Sequence, residues 1–212
     1  PISWLPSFEF DGTGDLNNGK PSVLYLGSLA AVVEPGATEI REWAAAGAVD
    51  NGVPIVFDPN VRPSVLSDRG AYLRGVDRFA AISSVIKASD DDIGWLYPHT
   101  PIEDVAEKWL AENEATSLVV ITKGKDGITS FSKDGDKATV SVDEPAAIAI
   151  DVVDTVGAGD TVGAILSEAV AKYGVGELVA DPDFLRCVLR RANDASGITC
   201  SREGCDPPTA NE

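Results

Sequence analysis

Apolar residues follow two rhythms along this chain. Short runs at Ser22 to Leu26, Pro54-Ile55-Val56-Phe57, Val85-Ile86-Lys87-Ala88 and Leu118-Val119-Val120-Ile121 have the length and β-branched content of strands covered on both faces. Between them the apolar positions change to helical spacing. Ile40, Trp43, Ala44 and Ala48 predict a helix from about Pro35 to Val49, which turns at Asn51-Gly52 into the second strand. A helix is expected around Gly70 to Ile82. Another should begin with Thr100 as cap, Pro101 in the first turn and Glu103 closing a capping box, with Ile102, Val105, Ala106, Trp109 and Leu110 on one face. Gly127 to Ser132 and Ala138 to Val142 alternate around Gly135 like a hairpin, and an apolar run follows at Ala146 to Ile150. A helix starting near Gly157 carries Val162, Ile165, Leu166, Ala169, Val170 and Tyr173 as its stripe. Asp181-Pro182 caps a last one, with Phe184, Leu185, Val188, Leu189 and Ala192. Repeated strand-helix units of this kind predict an α/β fold with a mainly parallel central sheet, helices on both faces and ligands at the carboxyl ends of the strands.

Composition narrows the class. With 212 residues and no repeat, linker or charge block, the chain is expected to form a single α/β domain over 1–212. Lys+Arg 17 against Asp+Glu 34 leave a net charge of −17, which repels polyanions and argues against a nucleic-acid partner. Hydrophobic residues at 44% describe a packed core and not a disordered acidic tail. Cys187, Cys200 and Cys205 form an odd set without paired spacing and His99 is the single histidine, so zinc lacks ligands and the thiols read as reduced and cytoplasmic. The opening residues, Pro1-Ile2-Ser3-Trp4-Leu5, have no targeting pattern, and no run approaches the roughly 20 apolar residues of a membrane span. A cytoplasmic protein without a membrane partner is the expectation. The sequence contains no methionine, which suggests that residues precede Pro1 or that methionines have dropped out of the sequence.

Four stretches can carry chemistry, each following an apolar run. The sharpest is Asp154-Thr155-Val156-Gly157-Ala158-Gly159-Asp160, between an apolar run and an amphipathic helix. The small residues Gly157, Ala158 and Gly159 leave the first helical turn bare, so its unpaired N–H groups can close on an anion, helped by the helix dipole. Asp160 would then lie beside a bound phosphoryl group, where a carboxylate can accept the proton of an attacking hydroxyl. Glycines in such a turn also serve close packing alone; the position of the aspartate tells against that simpler role.

Thr122-Lys123-Gly124-Lys125-Asp126-Gly127 offers a hydroxyl, two ammonium groups and glycine positions suited to a polyphosphate, although Lys-Asp-Gly is also an ordinary hairpin turn. Phe57-Asp58-Pro59-Asn60-Val61-Arg62-Pro63 brings a carboxylate, an amide and a guanidinium together, with Arg62 suited to bidentate contact with a phosphate or carboxylate; its prolines serve equally to stiffen a turn. In Ser89-Asp90-Asp91-Asp92 the acids can hold Mg²⁺ through water, but Asp90 and Asp91 read better as capping and dipole partners of a helix.

In this order and at these separations the four stretches resemble the ribokinase-like sugar kinases, also called PfkB carbohydrate kinases. Asp154 to Asp160 matches the family's C-terminal signature at every fixed position, and the likeness runs from about Asp11 to Pro208. Asp11-Gly12-Thr13, Leu26-Gly27-Ser28-Leu29-Ala30 and Lys87-Ala88-Ser89-Asp90 through Trp95-Leu96-Tyr97-Pro98 look most like bacterial fructokinases, with 2-keto-3-deoxygluconate kinases close behind. The resemblance implies an ATP-dependent kinase in which Asp160 deprotonates the sugar hydroxyl and the amides of Gly157 to Asp160 form the anion hole. It also implies that Thr122 and Gly124 contact ATP phosphates, that Gly127 shapes that loop, that Asn193 borders the adenine and that Arg62 reaches toward substrate or phosphate. Ser89 and Asp92 stand where many members carry Asn and Glu in a motif linked to Mg²⁺ and phosphate. A K⁺ site would use backbone carbonyls of Asp154, Val156, Thr199, Arg202 and Gly204. The implied partners are ATP and a small sugar, fructose or a related ketose, with a homodimer formed through a β lid as a further expectation. The strands and lid that normally open such kinases are missing from the sequence ahead of Asp11, so the chain is expected to hold the ATP side of the site without most sugar contacts. The other class left open is a non-catalytic nucleotide-binding fragment or regulatory relative.

Overall fold

The computed structural model describes residues 21–134, 137–145 and 151–209. Asp11-Gly12-Thr13, the turn at Gly135 and the run Ala146 to Ile150 lie outside the described residues. Twelve elements follow in chain order: β1 Leu24–Gly27, α1 Gly36–Gly47, β2 Ile55–Asp58, α2 Arg69–Ala80, β3 Val85–Ser89, α3 Asp90–Leu96, α4 Ile102–Glu112, β4 Leu118–Thr122, β5 Ile128–Asp134, β6 Lys137–Glu144, α5 Ala158–Ala180 and α6 Pro182–Cys200. The strands pair in sequence order, β1-β2-β3-β4-β5-β6, the first four parallel and the last two antiparallel. This agrees with the mainly parallel α/β sheet expected from the sequence.

Successive residues of a strand point to opposite faces, and here each face has its own core. Ile55, Phe57, Ile86, Ala88, Val119 and Ile121 pack with residues of α1, α2, α3 and α4, including the fully buried Tyr72, Phe79 and Trp109. Val56, Val85, Leu118 and Val120 pack on the other face under α5 and α6, against Leu166, Leu178 and Leu189. The crossovers between the parallel strands all lie on the first face, as a uniform hand of connection requires, which reserves the second face for the two long C-terminal helices.

The helix ends show where local reading is exposed to context. Helix α4 starts at Ile102 with Pro101 at the cap position and no side-chain cap bond, so the box expected from Thr100 and Glu103 does not form. Pro101 is extended there (φ −55°, ψ 147°) and the Thr100 N–H closes a turn on Tyr97 O instead, leaving Glu103 and Asp104 to act through the helix dipole. A complete capping box stands at α3: Asp92 N donates to Ser89 Oγ at 3.0 Å and Ser89 N to Asp92 Oδ2 at 2.9 Å. In α5, Gly174 is non-helical (φ 80°, ψ 155°) and kinks the helix just past the expected stripe, whose last member, Tyr173, is 43% exposed and meets Phe184 edge-on.

Asp92 does more than cap. Its other oxygen accepts from Val61 N at 2.7 Å, so one buried carboxylate fastens the loop after β2 to the end of β3. Asp92→Ala leaves both N–H groups without this acceptor. It is expected to lower stability by about 1–3 kcal/mol, read as a lower urea midpoint at unchanged slope.

Candidate functional site

Alternation along the strands puts three polar side chains where the core under α5 would otherwise continue. Tyr25 of β1, Asp58 of β2 and Lys87 of β3 share the face of Val56 and Val85, one on each of three adjacent parallel strands near their carboxyl ends. Lys87 Nζ donates to Asp58 Oδ2 at 2.7 Å, and the Tyr25 hydroxyl donates to the same oxygen at 3.0 Å. Asp58 Oδ1 accepts from Asn60 N at 3.1 Å. Asp58 and Lys87 are 1% and 3% exposed. Burial pushes the Asp58 carboxyl up, and the Lys87 charge opposes that shift. Burial, followed by the charge of Asp58, pushes the Tyr25 hydroxyl well above its ordinary value.

Helix α5 lies directly on this row because its glycines let it approach. A Cβ at Gly159 would stand 2.9 Å from Lys87 Nζ, and one at Gly163 would stand 2.6 Å from the Tyr25 ring. Gly157, the cap of α5, has φ +84°, and a Cβ there would also strike the Cys205 sulfur. The first bond of the helix runs from Thr161 N to Gly157 O at 2.8 Å, so the N–H groups of Gly159 and Asp160 precede the regular ladder. Ala158 N reaches only back to Thr155 O, at 3.3 Å. Asp160 is exposed in the first turn.

The loop leading into α5 is tied to the turn after α6. Val153 N and Asp154 N both donate to Cys200 O, and the Asp154 carboxylate accepts from Val156 N and Gly204 N, each at 3.1 Å. Those two N–H groups hold the Asp154 carboxyl below the usual carboxylate range. Thr199 is buried behind this junction, its hydroxyl bonded to Thr161 Oγ1 at 2.9 Å and to Ala195 O at 3.0 Å, and Arg202 N donates to Thr199 O at 3.2 Å. The residues expected around K⁺, namely Asp154, Val156, Thr199, Arg202 and Gly204, thus lie along one junction, where Thr199 O and Gly204 O already accept N–H groups from Arg202 and Asp206.

At the ends of β3 and β4, Ser89 and Thr122 are register partners, and Thr122 Oγ1 donates to Ala88 O at 3.4 Å. The following loop is folded by Lys123 N donating to Gly127 O at 2.7 Å, with Gly124 and Gly127 at φ +50° and +88°. Other expected residues sit apart from this group. Arg62 folds back on its own loop, Nη1 donating to Val61 O at 3.0 Å. Asn193 is buried in α6 and donates to Pro145 O at 2.7 Å, tying α6 to the end of β6. Both oxygens of Asp92 accept backbone N–H groups, and the described residues hold no cluster of three or more His, Cys, Asp or Glu able to bind a metal.

Between α5, α6 and the chain after Cys205 lies a cavity of about 700 Å³ whose wall includes Asp160, Thr161, Arg190, Asp194, Ile198 and Pro208. Its volume is that of a small-molecule site. Arg190 is held there by Glu144 at 2.8 Å, and Asn193 stands next to the lining residue Asp194. Sequence reading passed over Tyr25, Lys87 and Asp194. The signal for Lys87 was a charge inside an otherwise apolar buried strand.

The model of the pfkB family carbohydrate kinases matches residues 9–211. The chain belongs to this family. A fructokinase of Rhizobium leguminosarum bv. trifolii is 40% identical over 141 residues, a match covering 65% of the chain and 39% of that protein. Fructokinase-2 of Zea mays is 29% identical over 191 residues, covering 89% of the chain and 53% of the relative. The pfkB chain thus spans about half the length, or less, of these curated relatives. Among solved structures, aminoimidazole riboside kinase from Salmonella enterica, complexed with aminoimidazole riboside and an ATP analog, superposes with TM-score 0.71 at 23% identity, over 85% of this chain and 56% of that one. Fructokinase from Vibrio cholerae O395 in its fructose, ADP and calcium-bound form gives 0.67 at 22%, over 86% and 55%. These likenesses establish a ribokinase-like fold for the pfkB chain. No helix among its described residues is long and apolar enough to cross a membrane.

Gly157→Ala forces a side chain into a left-handed backbone and against Cys205. The expected loss is about 1–2 kcal/mol from the backbone alone. Calorimetry should show a lower melting temperature.

Proposed function

We propose that this chain forms the nucleotide-binding and phosphoryl-transfer part of an ATP-dependent sugar kinase acting on a hydroxyl of fructose or a related ketose. The observation that carries the reading is Asp160 placed in the first turn of α5, beside the N–H groups of Gly159 and its own backbone. A helix N-terminus favours negative charge, and small residues let a phosphoryl group approach its amides. The carboxylate next to that position accepts the proton of the attacking hydroxyl as the new O–P bond forms and the bond to the leaving ADP oxygen breaks. A late proton transfer suits a loose transition state, so an exposed carboxylate serves. The relatives named fructokinase support fructose or a related ketose as the substrate class.

The nucleotide is assigned to the cavity beside Asp160, with its phosphates toward the Thr122 to Gly127 loop. Thr122 supplies a hydroxyl there, and Gly124 and Gly127 let backbone amides turn toward oxygen acceptors. Mg²⁺ bound to the nucleotide neutralises charge on the phosphates.

Asp160→Asn preserves size and removes the proton acceptor. Fructose-dependent ADP release, measured on the purified protein, is expected to fall by about 10²–10⁴-fold, as for loss of a general base, with ATP binding changed little. Turnover within a few-fold of the unsubstituted protein overturns the role of Asp160.

A further inference from the structure

We infer that Lys87 is a positioning residue whose buried ammonium, held by Asp58 beneath Gly159, adds positive charge to the turn that receives the transferred phosphoryl group. The inference rests on the phosphoryl-transfer reading above.

The geometry begins with an anomaly of burial. Lys87 is 3% exposed in the middle of a parallel sheet, and isolated buried ion pairs are commonly no more stabilising than apolar residues of the same volume. Stability alone therefore gives a weak reason to place a lysine where Val85 and Val120 continue an apolar face. Its position gives a stronger one. The ammonium faces the backbone of Gly159 so closely that a Cβ there would stand 2.9 Å from Nζ, so no side chain separates the charge from the N-terminal turn of α5. A larger residue at this position would push the two apart.

The ion pair also has a direction. Asp58 takes three hydrogen bonds, from Lys87, Tyr25 and Asn60, which fix the carboxylate on β2. Asp58 occupies one of the three donors of the ammonium, and no other acceptor is recorded for Lys87 among the described residues. The carboxylate is thus tied also to β1 and to the loop after β2, while the ammonium abuts the turn. In a water-poor setting such a fixed charge acts on a developing anion without reorganising, the condition under which electrostatic stabilisation is strongest. Tyr25 completes the arrangement: its ring fits against Gly163 one turn further along α5, and its hydroxyl holds Asp58, so one network sets both the charge and the seat of the helix.

Two variants that both destroy the ion pair separate charge from structure. Asp58→Asn keeps the ammonium; Asp58→Asn combined with Lys87→Met removes it along with the carboxylate. If the ammonium acts on the phosphoryl group, the double variant should lose kcat on the order of 10²-fold relative to Asp58→Asn, with a similar KM for ATP and a melting temperature no lower, since it no longer buries an unpaired charge. Trapping of ADP with aluminium fluoride, a planar phosphoryl mimic, should be retained in Asp58→Asn and lost in the double variant. Equal kcat or equal trapping in the two variants overturns the inference and leaves the pair a purely structural tie. Should the double variant fail to fold, Asp58→Asn with Lys87→Gln restores a neutral hydrogen bond and takes its place with the same expectations. Failure of the unsubstituted protein to phosphorylate any ketose counts against the proposed function, whereas the trapping comparison still decides the role of Lys87.

Discussion

The contact between the first two turns of α5 and the carboxyl ends of β1, β2 and β3 is the constraint on which the site depends. Helices normally rest on a sheet through apolar side chains that hold the two backbones well apart. Here Gly159 and Gly163 remove that spacer, and the helix comes down onto Lys87 and Tyr25. A close approach of this kind needs the polar atoms beneath it to be satisfied from the sheet side, because a helix backbone beyond its first turn has no spare donors or acceptors to offer. Asp58 meets that need by binding Tyr25, Lys87 and Asn60 at once. Loss of its carboxylate would leave three donors seeking partners under the helix.

Structure and chemistry are divided by strand position. The middle residues of β2, β3 and β4 are fully buried and serve the two cores. Their last residues, Asp58, Ser89 and Thr122, are polar and organise loops: Asp58 anchors Asn60, Ser89 caps α3 and Thr122 opens the loop to Gly127. Each loop can therefore be tuned without disturbing apolar packing, which is why sites gather at this edge of parallel sheets. Asp92 shows the connection between loops most directly, since the helix it caps and the loop it holds at Val61 belong to different strands.

Much of this was legible in the sequence, and the exceptions have physical causes. Buried parallel strands announce themselves as continuous apolar runs, so β2, β3 and β4 fall within a residue of their expected spans. The signature turn was legible because its chemistry is local: glycines, a helix start and an aspartate are neighbours in sequence. The cap expected at α4 does not form because a local box competes with a turn set by Tyr97. The Tyr25, Asp58 and Lys87 row was harder, since its members lie on three strands and meet only through register. A lysine inside an apolar strand is the trace that such a row leaves in one sequence. The charge signals a partner but cannot name it.

The overall acidity of the chain poses a problem that this arrangement resolves. A net charge of −17 opposes the approach of a polyphosphate, yet the proposed substrate is one. At physiological ionic strength exposed charges are screened beyond about 8 Å, so the acidic surface acts weakly on a group already inside the site. What acts there is fixed: the N-terminal dipole of α5 and the buried ammonium of Lys87, with Lys123 and Lys125 on the loop proposed to take the phosphates. Lys123 is partly offset by Asp143 at 3.7 Å and Lys125 is exposed, so both are screened in the open site. Lys87 is not: it is buried against Asp58 beneath Gly159, where water is excluded. A long-range repulsion over the whole surface and a short-range attraction confined to the end of one helix are therefore compatible, because solvent weakens the first and is kept away from the second.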